Sequence, residues 1–186
     1  MTYSIAVFCG SRAGTNPAFA HAARALGQGM ARAGIRLVYG GGRVGLMGIL
    51  ADAVLRGGGT VLGVIPEFLV KWEVAHDHLS ELAVTDDMHG RKRRMAEEAD
   101  AFIVLPGGIG TLDEAIEIIS WRQLRLHAKP VFLCDVAGSS APLVAAIEAT
   151  IALGFADPAV RGYFEVMDGV DSVLARVTGE ASRAPP

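Results

Sequence analysis

Two kinds of apolar pattern alternate along the chain. Short, uninterrupted apolar runs predict strands, and longer segments with apolar residues every three or four positions predict helices. The predicted strands cover residues 5–9, 36–39, 61–65, 101–105, 131–134 and 163–166. The predicted helices cover residues 16–33, 44–57, 87–99, 110–127, 140–153 and 170–178.

This alternation predicts an α/β fold, a doubly wound Rossmann-like parallel sheet with helices on both faces. The strands are continuously apolar, as strands buried on both faces should be. A chain of 186 residues is too short for two ordinary domains. We therefore predict one domain over residues 1–178, followed by a disordered tail over 179–186 that is small, polar and proline-ended.

Composition limits the function classes. The formal net charge of −3 provides no basic field for nucleic acid. The two cysteines, Cys9 and Cys134, show neither a zinc spacing nor a disulfide framework, and both are expected to be reduced and buried. The N-terminus lacks the features of a signal peptide and no apolar run reaches the ~20 residues of a membrane span, so we expect a cytoplasmic protein without a membrane partner.

Glycines follow three of the predicted strands. They are Gly10, the run of Gly40, Gly41 and Gly42, and the run from Gly107 to Gly110. In open parallel sheets ligands bind beyond the carboxyl ends of the strands, so these loops are expected to line one crevice.

The second of these loops continues to Gly45 and formally matches the dinucleotide pattern G-x-G-x-x-G. The next strand, however, ends in Gly63, Val64, Ile65 and Pro66, without the acid that holds the ribose of a dinucleotide. A turn lining a mononucleotide pocket is therefore the favoured interpretation.

The third loop runs from Pro106 to Glu114. A strand that ends in a glycine turn and opens a helix can cradle a phosphate with its free N–H groups, and Glu114 would lie one turn away, near the attached sugar. Thr111 and Glu114 also match a capping box. The two interpretations are compatible, and the sequence leaves both open.

A basic run precedes the fourth predicted strand. Helical spacing places Arg91 and Lys92 in the same inward stripe as Met88 and Met95, whereas the following Arg93 faces outward. Inward cations need a counter-charge, either a structural carboxylate or an anionic ligand. We favour the ligand.

Other chemistries find little support in the sequence. His76 and His78 lack further donors at metal-ligand spacing, and no nucleophile elbow is present. We expect neither a metal nor a cofactor.

Six motifs follow one another along the chain. They are Cys9-Gly10-Ser11, Gly40-Gly41-Gly42-x-x-Gly45-Leu46-Met47-Gly48, Met88-His89-x-Arg91-Lys92, Pro106-Gly107-Gly108-x-Gly110-Thr111-x-x-Glu114, Trp121-Arg122-Gln123-Leu124 and His127-Ala128-Lys129-Pro130. Together they resemble the Lonely Guy (LOG) family of cytokinin riboside 5′-monophosphate phosphoribohydrolases, and the resemblance extends from about residue 4 to residue 170.

The resemblance implies a set of site residues. Arg91 and Glu114 would form the catalytic pair. The residues implied to bind substrate or phosphate are Glu73, Met88, Lys92, Gly107, Gly108, Ile109, Gly110, Thr111, Asp113 and Ser120. Gly10, Ser11, Gly41 and Gly42 are expected to line the pocket.

The implied activity is hydrolysis of the N-glycosidic bond of N6-modified adenosine 5′-monophosphates, by a homodimer with its site near the interface. Two alternatives remain, a nucleosidase of AMP or other nucleoside monophosphates and a non-catalytic carrier of molybdenum cofactor. An older label of such proteins, lysine decarboxylase, is disfavoured because none of the three lysines lies in an evident pyridoxal phosphate site. Gly90 and Arg125 depart from the family pattern, with consequences expected for substrate fit or the subunit interface.

Overall fold

The computed structural model of the protein describes residues 2–70 and 75–182. Its strands are β1 (Ser4–Phe8), β2 (Arg36–Tyr39), β3 (Val61–Pro66), β4 (Glu81–Thr85), β5 (Ala101–Val104), β6 (Val131–Asp135) and β7 (Glu165–Asp168). Its helices are α1 (Pro17–Arg32), α2 (Gly45–Arg56), α3 (Glu67–Val70), α4 (Met88–Glu98), α5 (Ile109–Gln123), α6 (Ala141–Ala152) and α7 (Gly169–Ala181), with a 3-10 helix over Pro158–Tyr163.

The strands form one parallel sheet in the order β4-β3-β2-β1-β5-β6-β7. Two apolar cores lie on its two faces. One contains side chains of α1, α2 and α7, and the other contains side chains of α4, α5 and α6. The predicted doubly wound α/β fold is therefore confirmed.

Strand β4 is absent from the sequence prediction. Among the described strands it pairs only with β3, at the edge of the sheet, and its residues are mostly exposed. An edge strand that is not buried on both faces carries no continuous apolar run, so the pattern that identified its neighbours is missing here.

Two predicted ends are also wrong. Helix α7 continues to Ala181, so residues 179–181 are helical rather than part of a disordered tail. Helix α5 ends at Gln123, four residues earlier than predicted, because the backbone of Arg125 turns into the left-handed region with φ of 59°. None of the helices in the described part of the chain combines the length and apolar character that crossing a bilayer requires.

Candidate active site

A cavity of about 690 Å³ opens at the carboxyl ends of β1, β2 and β5. The strand order reverses direction between β1 and β5, and this switch point is where open α/β sheets bind ligands because adjacent loops diverge there. The loops after β1 and β5 are joined by a hydrogen bond of 3.1 Å from the Gly10 N–H to the Pro106 carbonyl. The cavity therefore lies where the glycine-rich loops were expected to meet.

The loop after β5 leads directly into α5. Gly107 must lack a side chain, because a Cβ there would lie 2.0 Å from Oγ1 of Thr111 and 2.9 Å from N of Gly10. At Gly108 and Gly110 a Cβ would meet nothing within 4 Å. Gly107 thus closes the loop against its neighbours, and the next two glycines present an open backbone surface.

Of the two interpretations that the sequence left open for this loop, the structure does not form the capping box. Helix α5 begins at Ile109, with Gly108 as its N-cap and no side chain bonded to that end, so buried Thr111 is already inside the first turn. Within the described residues, no protein acceptor takes the N–H groups of Ile109, Gly110 or Thr111. These donors and the positive end of the helix dipole face the cavity that the same residues line.

The glycine run after β2 has a different role. Three N–H groups at the start of α2 already have acceptors. Those of Leu46 and Met47 donate to the Gly10 carbonyl at 3.0 and 3.3 Å, and that of Gly48 donates to the Val44 carbonyl at 3.3 Å. Among the three glycines of the run, Gly40 lies in the cavity wall, whereas Gly41 and Gly42 were the expected lining residues. Gly41 instead accepts a hydrogen bond from the His76 N–H, and Gly42 bridges to Ala75.

Arg91 faces inward from α4, as the helical spacing predicts, and is only 4 % exposed. Its Nε donates to the Val64 carbonyl at 3.1 Å and its Nη2 donates to the Gly40 carbonyl at 2.8 Å. The carbonyl of Val64 within β3 and that of Gly40, directly after β2, therefore fix the orientation of the guanidinium. Arg91 lines the cavity, together with Met88, whose sulfur lies 3.8 Å from Nη1.

Glu114 also lines the cavity, one turn into α5 from the open N–H groups. Its charge acts on Cys9 at the end of β1: burial first, and then the negative charge of Glu114, raises the pKa of the Cys9 thiol. Cys9 is thus a buried, protonated thiol in the cavity wall, as expected for a structural cysteine.

Lys92 is inward but does not line the cavity. Its Nζ lies 3.0 Å from a carboxylate oxygen of Asp113 and 3.1 Å from one of Glu117, both on α5. Burial lowers the pKa of Lys92, but hydrogen bonds and charge from the two carboxylates outweigh this, and the net pKa is raised. For Lys92 the structure supplies a pair of carboxylates as the counter-charge. Binding of an anionic ligand by Lys92, which the sequence favoured, stays a prediction.

Several predicted site residues lie elsewhere. Asp113 holds Lys92 and is outside the cavity wall, and Ser120 is exposed on α5. Glu73 lies outside the described residues. The predicted residues in the cavity wall are Gly10, Ser11, Met88, Arg91, Gly107, Gly108, Ile109, Gly110, Thr111 and Glu114.

The sequence interpretation missed several lining residues. Met47 and Leu69 add apolar side chains to the wall near the predicted Met88, and Phe19 adds another from α1. Ser139 lines the β6 side of the cavity, and Arg12 follows β1. Arg12 could have been predicted from the sequence as a lining residue, because it lies in the loop at the carboxyl end of the central strand.

Comparisons with known proteins agree with this geometry. A family model described as "Possible lysine decarboxylase" matches residues 47–177. A probable cytokinin riboside 5′-monophosphate phosphoribohydrolase of Oryza sativa subsp. japonica is 46 % identical over 96 % of this chain and 78 % of its own. A cytokinin riboside 5′-monophosphate phosphoribohydrolase of Rhodococcoides fascians is 46 % identical over 94 % of this chain and 88 % of its own.

Solved structures share the fold. The molybdenum cofactor carrier protein of Chlamydomonas reinhardtii superposes with a TM-score of 0.74 at 22 % identity, covering 99 % of this chain and 100 % of its own. The molybdenum cofactor binding protein of Rippkaea orientalis gives a TM-score of 0.74 at 21 % identity, covering 97 % and 98 %. The identity to the phosphoribohydrolases over nearly the whole chain is twice as high, and the chain belongs to the LOG family.

Proposed function

We propose that this protein hydrolyses the N-glycosidic bond of N6-modified adenosine 5′-monophosphates. One water is added across the bond between ribose and base, giving the free base and ribose 5-phosphate. The observation that carries the proposal is that one cavity contains both an open helix N-terminus, suited to a phosphate, and a carboxylate one turn further along the same helix. The names of the relatives support the same reaction.

The phosphate is expected on the loop 107–111. The free N–H groups of Ile109, Gly110 and Thr111 would donate to its oxygens, and Gly108 and Gly110 allow it to approach the backbone. Anchoring the phosphate places the attached ribose beside Glu114, so binding energy from a part of the substrate that does not react positions the part that does.

Glu114 would act on the ribose. As the bond from C1′ to the base breaks, positive charge develops on the sugar ring, and a carboxylate beside it stabilises that charge and orients or deprotonates the attacking water. The proton of the water passes to Glu114, and the departing base gains a proton from solvent. The buried guanidinium of Arg91, fixed by the carbonyls of Val64 and Gly40, would hold the ribose and the carboxylate in place.

The ion pairs of Lys92 support this arrangement indirectly. By binding Asp113 and Glu117, which flank Glu114 on α5, Lys92 ties α5 to α4. Since Arg91 is the residue next to Lys92 on α4, this tie sets the position of Arg91 relative to Glu114.

We also propose a homodimer with its site near the interface. An apolar stripe on α5 consists of Ile109, Leu112 and Ile116, which are 82 %, 39 % and 45 % exposed. Residues at this spacing lie on one helix face, and exposed apolar faces of this kind are typical of subunit contacts. Ile109 also lines the cavity. The buried, unpaired Cys9 and Cys134 support a reducing, cytoplasmic location.

The test is chromatographic detection of free base. Isopentenyladenosine monophosphate, the corresponding riboside and AMP are each incubated with the wild type, Glu114→Gln and the control Glu97→Gln, which changes an exposed carboxylate on α4. We expect preferential cleavage of the modified monophosphate by wild type and control, and a loss of about 10²–10⁴-fold in kcat for Glu114→Gln. A preference for AMP would make the protein a general nucleosidase, and no cleavage of any substrate would refute the proposal.

A further inference from the structure

The charged side chains of the cavity wall are few. Within the described residues they are Arg12, Arg91 and Glu114, so their formal charges sum to +1. Lys92, the cation expected from the sequence to bind phosphate, is occupied by Asp113 and Glu117. Without Arg12 the wall would carry no net charge, although the proposed substrate brings a phosphate dianion into it.

Arg12 and Arg91 differ in burial and in the hydrogen bonds of their side chains. Arg91 is buried, and its guanidinium donates to the carbonyls of Val64 and Gly40. Arg12 is exposed, and its side chain makes no hydrogen bond or ion pair within residues 2–70 and 75–182. Arg12 therefore has all of its guanidinium donors available to a ligand.

The backbone that carries Arg12 is tightly fixed. A Cβ on Gly45, which has φ of 62°, would lie 2.3 Å from the carbonyl carbon of Ser11 and 2.4 Å from N of Arg12. The preceding Gly10 carbonyl accepts the first N–H groups of α2. The start of α2 thus holds the Ser11–Arg12 peptide in place while the side chain stays free to move.

This fixed backbone lies beside the proposed phosphate cradle. A Cβ on Gly10 would be 3.3 Å from Cα of Gly107 and 2.8 Å from the carbonyl oxygen of Arg12. The loop 107–111 and the backbone of Arg12 are therefore neighbours across the switch point between β1 and β5. A phosphate on the helix N-terminus would have the N–H groups on one side and the reach of the Arg12 side chain on the other.

We infer that Arg12 is a phosphate-binding residue that selects 5′-phosphorylated over unphosphorylated nucleosides. The inference rests on the proposed function for the substrate class. Arginine suits this task because its planar guanidinium donates two parallel hydrogen bonds to a phosphate, whereas lysine offers a single point charge. The free side chain closes over the ligand after the loop has bound it.

The experiment measures binding and does not require turnover. Isothermal titration calorimetry is run with ribose 5-phosphate, AMP and adenosine on the wild type, Arg12→Ala, Arg12→Lys and Arg24→Ala. Arg24 is a matched control because it is an exposed arginine of α1 outside the described cavity wall. Thermal unfolding of each variant checks that the fold is intact.

The expected result is specific for the phosphate. Arg12→Ala raises Kd for ribose 5-phosphate and AMP by about 10- to 100-fold, the loss expected for hydrogen bonds to a charged group. Arg12→Lys gives an intermediate loss, and Arg24→Ala leaves both values unchanged. The Kd of adenosine stays the same in all four proteins.

Two outcomes overturn the inference. One is unchanged affinity of Arg12→Ala for the phosphorylated ligands, or no measurable binding of them by the wild type. The other is an equal loss for adenosine, which would mean that the substitution disturbs the cavity as a whole. A wild type that binds AMP through Arg12 but cleaves no nucleotide would refute the proposed function and leave the role of Arg12 standing.

Discussion

The guanidinium of Arg91 occupies the space that a side chain on Gly40 would need. A Cβ built on Gly40 would lie 2.1 Å from Nη2 of Arg91, the atom that donates a hydrogen bond of 2.8 Å to the Gly40 carbonyl. The absence of a side chain at one strand end thus determines how a buried cation on another element is oriented.

Gly40→Ala is therefore expected to displace Arg91. The overpacked site should lose about 1–3 kcal/mol of stability. Moving the guanidinium away from the reacting ribose should lower kcat/KM about 100-fold. Steady-state assays and urea unfolding measure the two effects. Gly162→Ala, at a glycine whose Cβ would meet nothing within 4 Å, is the control. If Gly40→Ala kept the wild-type kcat/KM, the orientation of Arg91 would not matter for catalysis.

Lys92→Met should act on stability more than on substrate binding. The substitution leaves Glu117, which is mostly buried, without its cation, and it also removes the pair with more exposed Asp113. We expect a loss of about 1–3 kcal/mol in the free energy of unfolding. KM should change little, because Lys92 lies outside the described cavity wall. Arg93→Met, at an exposed position on the same helix, is the control. A large rise in KM with unchanged stability would instead indicate that Lys92 binds the phosphate of the substrate.

The same pair predicts a pH dependence. The pKa of Lys92 is raised above its ordinary value of 10.5, so its contribution to stability is fully present below pH 10.5 and is lost as the pH rises through the higher native pKa. In urea unfolding, the difference between wild type and Lys92→Met should therefore be constant from about pH 7 to 9 and should shrink at about pH 11 and above. A difference that grows over this range would contradict the assigned pairing.

Arg125→Gly should stabilise the protein. Arg125 has φ of 59°, where a side chain is strained, and the turn is closed by a hydrogen bond of 2.9 Å from the Leu126 N–H to the Trp121 carbonyl. Glycine relieves the strain but adds conformational freedom to the unfolded chain. The free energy of unfolding should therefore rise by a net amount of about 0.5–1 kcal/mol. Arg93→Gly, inside α4, should instead lose about 1 kcal/mol. Thermal unfolding of both variants gives the comparison, and a loss of stability in Arg125→Gly would show that the arginine side chain makes a compensating contact.

Ile116→Asp tests the proposed dimer. A charge in the apolar stripe of Ile109, Leu112 and Ile116 should weaken the contact between copies and raise the dimer dissociation constant at least about tenfold. Light scattering over a dilution series measures the mass. Leu153→Asp, at an exposed apolar residue after α6, should leave the mass unchanged. A wild type that is monomeric at all concentrations would remove the dimer from the proposal.

Local pattern was sufficient for most elements of the fold. Five of the seven strands, β1, β2, β3, β5 and β6, consist mostly of buried apolar residues, because burial on both faces imposes the same demand along the segment. The edge strand β7 is mostly exposed, and it begins two residues later than predicted. The edge strand β4 was not predictable in this way, because β4 has a neighbouring strand, β3, on one side and its residues remain mostly exposed. The end of α5 was also missed, since Arg125 occupies a left-handed position that the sequence normally marks with glycine.

In the candidate site, too, some features could be predicted from local sequence and others could not. The inward direction of Arg91 and Lys92 follows from helical spacing alone, which fixes the face on which a side chain lies. Spacing along one helix says nothing about what that face meets. Arg91 meets a carbonyl within β3 and the carbonyl directly after β2, whereas Lys92, the next residue, meets carboxylates of α5.

By itself, the sequence determined the class of fold, the strand ends where a ligand would bind, and the glycine loop that opens α5, because each depends on residues adjacent in the chain. Only the tertiary structure decided which glycines serve the cavity and which pack against other groups, how the charges pair, and that Arg12 stands beside the loop 107–111. These relations join residues far apart in sequence, and they follow from the order of strands in the sheet, which brings β1 next to β5.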